Sequence, residues 1–311
     1  MRRDRRAMLL GLASPLLPCR PAGGVPDTAS TPLEVAPGLW VMPGRMEEAT
    51  PANLDAIANI GFICGAEATA VIDPGGSLAH GRLLRRAIEA CGAPPVRYLV
   101  LTHVHPDHSM GAAAFADLAP EVIGHARLPE ALAQRSAYYA AVLEREMGSA
   151  AAGSHALVPT RLVEDHAEID LGGRRLELQA HPPAHTDHDL SLRDSASGML
   201  WLSDLLFVDR MPALDGDLLG WLRLLDGLRR ETAPGAVPGH GPPVVPWPQA
   251  AEPLVGYLAA LRDGIRAAIA AGIGLAEAPA RVAVEAAAQW RLAEQYHGRN
   301  VIAAYRQLEW E

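Results

Sequence analysis

The sequence predicts an α+β fold, a four-layer αββα sandwich with two sheets face to face and helices outside. Three observations predict it. Short β-like runs recur in both halves of the chain, each half delivers a strand-like run into a segment rich in His and Asp, and the region beyond Pro246 is Ala-rich and helical in pattern. In order, EVAPGLWVMP reads as strand, and NIGFICGAEATAVIDPGG as a hairpin turning at Gly65-Ala66-Glu67. A helix over Leu83 to Ala90 and the Pro94-Pro95 break precede the apolar run Val96 to Thr102, a buried strand that ends at His103. Gly111 to Leu118 reads as helix and EVIGH as strand. Residues 126–160 differ from both flanks and read as a helical insertion that covers a site. Strands resume in RLVEDHAEIDLGGRRLELQAH, with a turn at Gly172-Gly173, and in MLWLSD, which ends at Asp204. Helices fill 251–311, with a break near Gly272 to Gly274.

With 311 residues, 49% hydrophobic and 20% charged, the chain can bury a large core. Aromatics are only 5%, so that core must be built largely from Ala, Leu and Val. The formal charge is −9, although the first 24 residues carry five arginines against one aspartate. The remainder is therefore more acidic than the whole, and no basic block lies beyond the N-terminus. A field of that sign repels phosphate polymers and excludes nucleic acid as the expected partner.

The N-terminus runs from MRRDRR into the apolar AMLLGLASPLLP and then into Pro, Ala and Gly, the layout of an export signal. Arg5-Arg6 ahead of Ala7-Met8-Leu9-Leu10 is similar to a twin-arginine signal, so residues 1–24 are expected to direct the chain to the periplasm and 25–311 to form one catalytic domain. The competing reading is a basic tail. The apolar part falls short of the roughly 20 residues of a membrane span. Pro18 before Cys19 argues against a lipid anchor, and a bridge between Cys64 and Cys91 is left open by the sequence.

THVHPDH, residues 102–108, is the strongest local signal. In an extended backbone His103 and His105 project to one side and can share a cation, and Pro106 keeps His105 out of the helical region. Asp107 and His108 then turn toward a helix and can face a second cation. His185 in PPAHTDHDL, Asp204 in WLSDLLF and His240 in VPGHGPP each sit beside a strand-like run. Any one alone would read as a structural polar residue, but the ordered set reads as a two-metal site. His188 is a candidate alternative ligand, proton shuttle or substrate contact, and His181 a candidate support for a ligand.

In these residues the chain resembles the metallo-β-lactamase superfamily over about residues 33 to 245. Its pattern HxHxDH, a GHT-like histidine, a strand-ending aspartate and a PGHG-like histidine is matched in order, with Ala184 where many relatives have Gly. The resemblance implies His103, His105 and His185 at one metal, Asp107, His108 and His240 at the other, and Asp204 between them. The segments LLFVDRMPALDGDLLGWLRLLDGL, YYAAVLEREMG and VPTRLVED are further similar to the quinoprotein relay system zinc metallohydrolases, exported proteins associated with periplasmic pyrroloquinoline-quinone enzymes. That resemblance implies a periplasmic quinoprotein dehydrogenase as a candidate partner.

An all-nitrogen-and-oxygen ligand set suits zinc, two per chain, while also accepting iron or manganese. The expected activity is hydrolysis of an ester, lactone, thioester or amide-like small molecule by a metal-bridged hydroxide, with Asp107 orienting it and moving a proton. A β-lactamase acting on antibiotics is one alternative. Another is a non-catalytic, metal-stabilised protein that docks on a dehydrogenase through Trp201, Trp221 and residues 206–226. Exposure of Trp221 and Leu222 would favour docking, and burial would make them core.

Overall fold

The computed structural model describes residues 31–311; the expected export signal and Cys19 lie outside the described residues. Among the described residues, twelve strands form two sheets. The first sheet takes β1 (Leu33–Ala36), β2 (Leu39–Met42), β3 (Ile60–Cys64), β4 (Thr69–Ile72), β5 (Val96–Leu101), β6 (Glu121–His125) and β7 (Arg161–Val163) in sequence order. Its first four strands are antiparallel, and β4 to β7 run parallel. The second sheet takes β8 (His166–Asp170), β9 (Arg175–Ala180), β10 (Leu190–Asp194), β11 (Leu200–Phe207) and β12 (Ala236–His240) in the order β12-β11-β10-β9-β8, with only β11 and β12 parallel.

The helices are α1 (Leu78–Ala90), α2 (Pro106–Ser109), α3 (Leu128–Met147), α4 (Leu218–Leu228), α5 (Glu252–Ala270), α6 (Val284–Ala287) and α7 (Ala293–Leu308). Three apolar layers hold the sandwich together. Leu39, Ile63 and Val100 meet Leu178, Leu192 and Trp201 between the sheets. Leu84, Ile88, Leu99 and Phe115 pack the outer face of the first sheet, and Leu202, Trp221, Leu258 and Val301 that of the second. Because both faces are covered, β4 and β11 are buried at every residue.

Several boundaries differ from the sequence expectation. Helix α1 begins at Leu78 rather than Leu83, because the Ser77 hydroxyl caps it by accepting from the His80 amide, and Gly81 lets it close onto the Gly111 carbonyl. Met110–Leu118 winds as a 3-10 helix. Strand β11 does not end at Asp204 but continues to Phe207. A bulge interrupts its pairing with β12 around Ser203, whose φ is +47°, so the sequence break marks a kink rather than a terminus. Cys64 and Cys91 are not joined by a disulfide.

A buried arginine, paired with an aspartate of its own sheet, ties the two sheets at the β8–β9 turn. Arg174 donates through Nε and Nη2 to Asp194 (2.7 and 2.6 Å), at the end of β10, and through Nη1 to the Pro37 and Cys64 carbonyls of the other sheet. Burial would push the Asp194 carboxyl up, but Arg174 and the Ser197 hydroxyl outweigh it and hold it below the usual range. A carboxyl so depressed stabilises the fold above its unfolded pKa, and the contribution is lost as acid approaches the lower folded value. Arg174→Ala leaves Asp194 buried and unpaired and should cost about 3–5 kcal/mol. Urea unfolding at pH 7 measures the loss, which should shrink toward the acid limit.

Candidate metal centre

The edge of the sandwich where β5 and β12 end collects all seven side chains. His103 follows β5 after one residue, His105 caps α2 from outside, and Asp107 and His108 lie on its first turn. His185 comes from the loop between β9 and β10, Asp204 from the kink in β11, and His240 is the last residue of β12. Loops at the carboxyl ends of parallel strands are where such folds present polar side chains.

Two clusters result: His103, His105, His185 and Asp204 in one, Asp107, His108 and His240 in the other. In the first, His105 Nδ1 lies 3.1 Å from His103 Nε2 and 3.0 Å from His185 Nε2. Asp204 stands between the clusters. Its Oδ2 lies 3.6 Å from His103 Nε2 and 3.3 Å from His185 Nε2, while its Oδ1 lies 3.1 Å from His108 Nε2 and 3.5 Å from His240 Nε2. Asp107 Oδ2 completes the second group, 3.3 Å from His240 Nε2 and 3.8 Å from His108 Nε2. Gly239 makes room for this, since a Cβ there would overlap Asp204 Oδ1.

The opposite nitrogen of every imidazole is held. His185 Nδ1 donates to the Ala213 carbonyl (2.8 Å) and His240 Nδ1 to the Ile57 carbonyl (2.9 Å). His105 Nε2 donates to Asp215 (3.1 Å) and His108 Nδ1 to Asp73 (2.9 Å). Thr102 gives its hydroxyl proton to Asp73 (2.8 Å) and accepts from His103 Nδ1 (3.0 Å). In the neutral rings these outer protons leave five lone pairs pointing inward, the orientation that outer partners impose on metal-binding histidines. Among the described residues, His108 Nε2 and Asp204 Oδ1 are buried without a hydrogen-bond partner. Ligand atoms of a four-coordinate cation, about 2.0–2.2 Å from it, stand roughly 3.3–3.6 Å apart. The donor set therefore fits a pair of cations.

Electrostatics point the same way. Burial pushes His108 down, yet Asp204, Asp107 and Asp73 outweigh it and raise it well above the ordinary value. Burial likewise opposes protonation of His185 and His240, and Asp204 overrides it in both. His103 is held well below its usual value, first by burial and then by His108. The carboxylates draw positive charge into this space, as protons or as metal ions that displace them.

Access is one-sided. His105 and Asp107 keep 16% and 15% of their side chains exposed, whereas the other five side chains are buried. Phe207 stacks on His240 at 5.0 Å, and Trp221 meets the edge of His185 at 5.3 Å, so apolar rings seal the far side. Trp201 and Trp221 are fully buried, and the Trp221 indole donates to the Leu205 carbonyl. That burial corrects the docking expectation for these two residues, which are core.

Sequence reasoning missed Asp73, Asn59, Asp215, Arg135 and Tyr139. Asp73 follows β4 in VIDPGG, where an acid after an apolar strand was the available signal. Asn59 clamps the VPGHG turn by donating to the Pro238 carbonyl, and nothing local announces it. His188 belongs to neither cluster; it is buried, bonded to Thr186, and burial pushes it down to about 3. His181 is bonded to Ser191 and likewise pushed down by burial, to about 4.

Fold and geometry together define the class. The family model for the metallo-β-lactamase superfamily matches residues 55–245, and the chain belongs to that superfamily. Among solved structures it is similar to a stereoselective inverting sec-alkylsulfatase from Pseudomonas sp., at 19% identity and a TM-score of 0.69 over 90% of this chain and 50% of that one. The chain thus spans about half the length of the alkylsulfatase. It is also similar to a metallo-β-lactamase family protein from Thermus thermophilus (21% identity, TM-score 0.61, 89% of this chain and 93% of that one). A metallo-β-lactamase from Pontibacter korlensis aligns at 18% identity and a TM-score of 0.57, over 73% of this chain and 98% of that one. No curated protein matches the sequence. At these identities the structural likenesses show the fold.

Asp73→Ala removes the acceptor of His108 and of Thr102. It should weaken binding at the Asp107, His108 and His240 cluster by about 10–100-fold. Competition of the purified variant against a chromogenic chelator reads this directly, and unchanged affinity would deny Asp73 its role.

Proposed function

We propose that the chain is a binuclear metallohydrolase, with His103, His105 and His185 holding one zinc, Asp107, His108 and His240 the other, and Asp204 shared. The observation that carries this reading is the split of the Asp204 carboxylate, one oxygen toward each group of imidazoles. A zinc pair held by these residues would supply Lewis acidity, lowering the pKa of water from 15.7 toward about 7. Superfamily membership supports hydrolysis as the reaction type.

The chain's own groups set the rest. Asp107 is the partly exposed carboxylate of the site; burial pushes it up, but His108 and His240 outweigh that and hold it ionised. It is placed to orient a water and to take and return a proton. Buried Phe207 and Trp221 exclude water from the side away from substrate. The substrate is a small molecule with an ester, lactone, thioester or amide-like bond, and β-lactams belong to the same panel.

A periplasmic location is part of the proposal, supported by the leader-like residues 1–24. A quinoprotein dehydrogenase as partner is supported by the resemblance of residues 205–228, of which Trp221 belongs to the core rather than to a docking face.

Metal analysis of the mature protein should give two zinc ions per chain. Hydrolysis of a panel of lactams, lactones, thioesters, simple esters and a secondary alkyl sulfate should vanish on chelation and return with zinc. His103→Ala and His185→Ala should each abolish turnover together with the first ion. Full metal content and rate in either variant would refute the assignment.

A further inference from the structure

A cavity of about 420 Å³ opens beside the exposed edge of the candidate metal centre, with His105 in its wall. That volume lies in the range of small-molecule sites. Helix α3 contributes Arg135, Tyr138 and Tyr139, and α7 contributes Tyr296 and Arg299. The lining therefore combines phenol rings with two guanidinium groups, in a chain whose overall charge is −9.

The two arginines are in different states. Arg135 is committed to Asp215 and to the Tyr139 hydroxyl, and the same Asp215 oxygen accepts from His105. This Asp215 charge, the one carboxylate of the lining, is thus already engaged twice. Glu48, behind the wall, accepts from the Tyr296 hydroxyl and from Arg210. Arg299 is exposed, lies 5.9 Å from the Tyr296 ring centroid, and its guanidinium has no hydrogen bond or ion pair among the described residues. Among the described residues no carboxylate pairs with that charge. Tyr138, in the same lining, is 67% exposed and lies 5.7 Å from Tyr139 between ring centroids.

We propose that this cavity is the substrate pocket of the hydrolase reading above, on which the inference rests, and that it selects small molecules carrying an oxyanion, carboxylate or sulfate, on an apolar or aromatic body. Arg299 receives the oxyanion, the tyrosines flank the body, and the scissile bond lies toward His105. A guanidinium recognises a planar or tetrahedral oxyanion through paired N–H donors, a geometry unavailable to a neutral amide.

The test reads binding rather than turnover. Metal-loaded protein is titrated calorimetrically with 4-phenylbutyrate, 3-phenylpropyl sulfate and the neutral 4-phenylbutyramide. The carboxylate, the sulfate or both should bind about tenfold or more tightly than the amide, equivalent to about 1.4 kcal/mol. Arg299→Gln should remove the preference and Arg299→Lys restore part of it, while the metal content of both variants stays unchanged. Equal affinity for the three probes, no binding of either anion, or a preference that survives in Arg299→Gln would each overturn the inference. A protein that shows the preference but hydrolyses nothing in the panel would keep this pocket and lose the hydrolase reading.

Discussion

The structure depends on one electrostatic constraint: five imidazole nitrogens and two carboxylates face a common buried space that holds no fixed positive charge of its own. Bringing lone pairs to about 3 Å from one another is unfavourable unless a proton or cation stands between them. The fold enforces the convergence through partners on the far side of each ring, two of which are backbone carbonyls with no freedom to donate. The tautomers are therefore set by the scaffold, and so is the demand for charge. The Asp204 carboxylate meets part of that demand, raising His108, His185 and His240 although burial alone would lower them.

Meeting that constraint requires two sheets whose strand ends stay in register across the sandwich. The bulge at Ser203 re-aims Asp204, Gly239 leaves the volume its carboxylate occupies, and Asn59 ties the turn carrying His240 back to the first sheet. At the β8–β9 turn, Arg174, braced by Asp194, resists relative sliding of the sheets by donating to the Pro37 and Cys64 carbonyls. A shift of one residue in either sheet would carry an inward side chain to the opposite face. The site is consequently as exact as the buried, largely aliphatic core beneath it.

Much of this was legible in the sequence because the ligands fall in short motifs beside apolar runs. HVHPDH supplies four of the seven ligands from one short segment, and Pro106 marks the local turn. The strand preceding it and the hairpin at Gly65 were readable from period and turn residues. What escaped was long-range. Asp73, Asn59 and Asp215 act on residues 35, 179 or more, and 110 positions away, and no local pattern encodes such pairing. The continuation of β11 to Phe207 escaped because a polar residue inside a buried strand reads as its end. Whether Trp201 and Trp221 were exposed could not be read from the sequence; packing puts Trp201 between the sheets and Trp221 against His185 as part of the seal.

One-sided access then links fold to selectivity. With Phe207 and Trp221 closing the second sheet's side, the candidate centre is open to solvent among the described residues at His105 and Asp107. That approach is framed by α3, from the helical stretch between β6 and β7, and by α7, from the C-terminal helices. The candidate metal-binding edge lies in the motifs by which the chain resembles the superfamily, whereas the walls come from elements that belong largely outside them. Arg135 and Tyr139 sit within the span of the family match and Tyr296 and Arg299 beyond it, past residue 245. On the proposed reading, reaction type and substrate choice are carried by different parts of the chain, and the Asp215 carboxylate joins them by holding His105 on one side and Arg135 on the other.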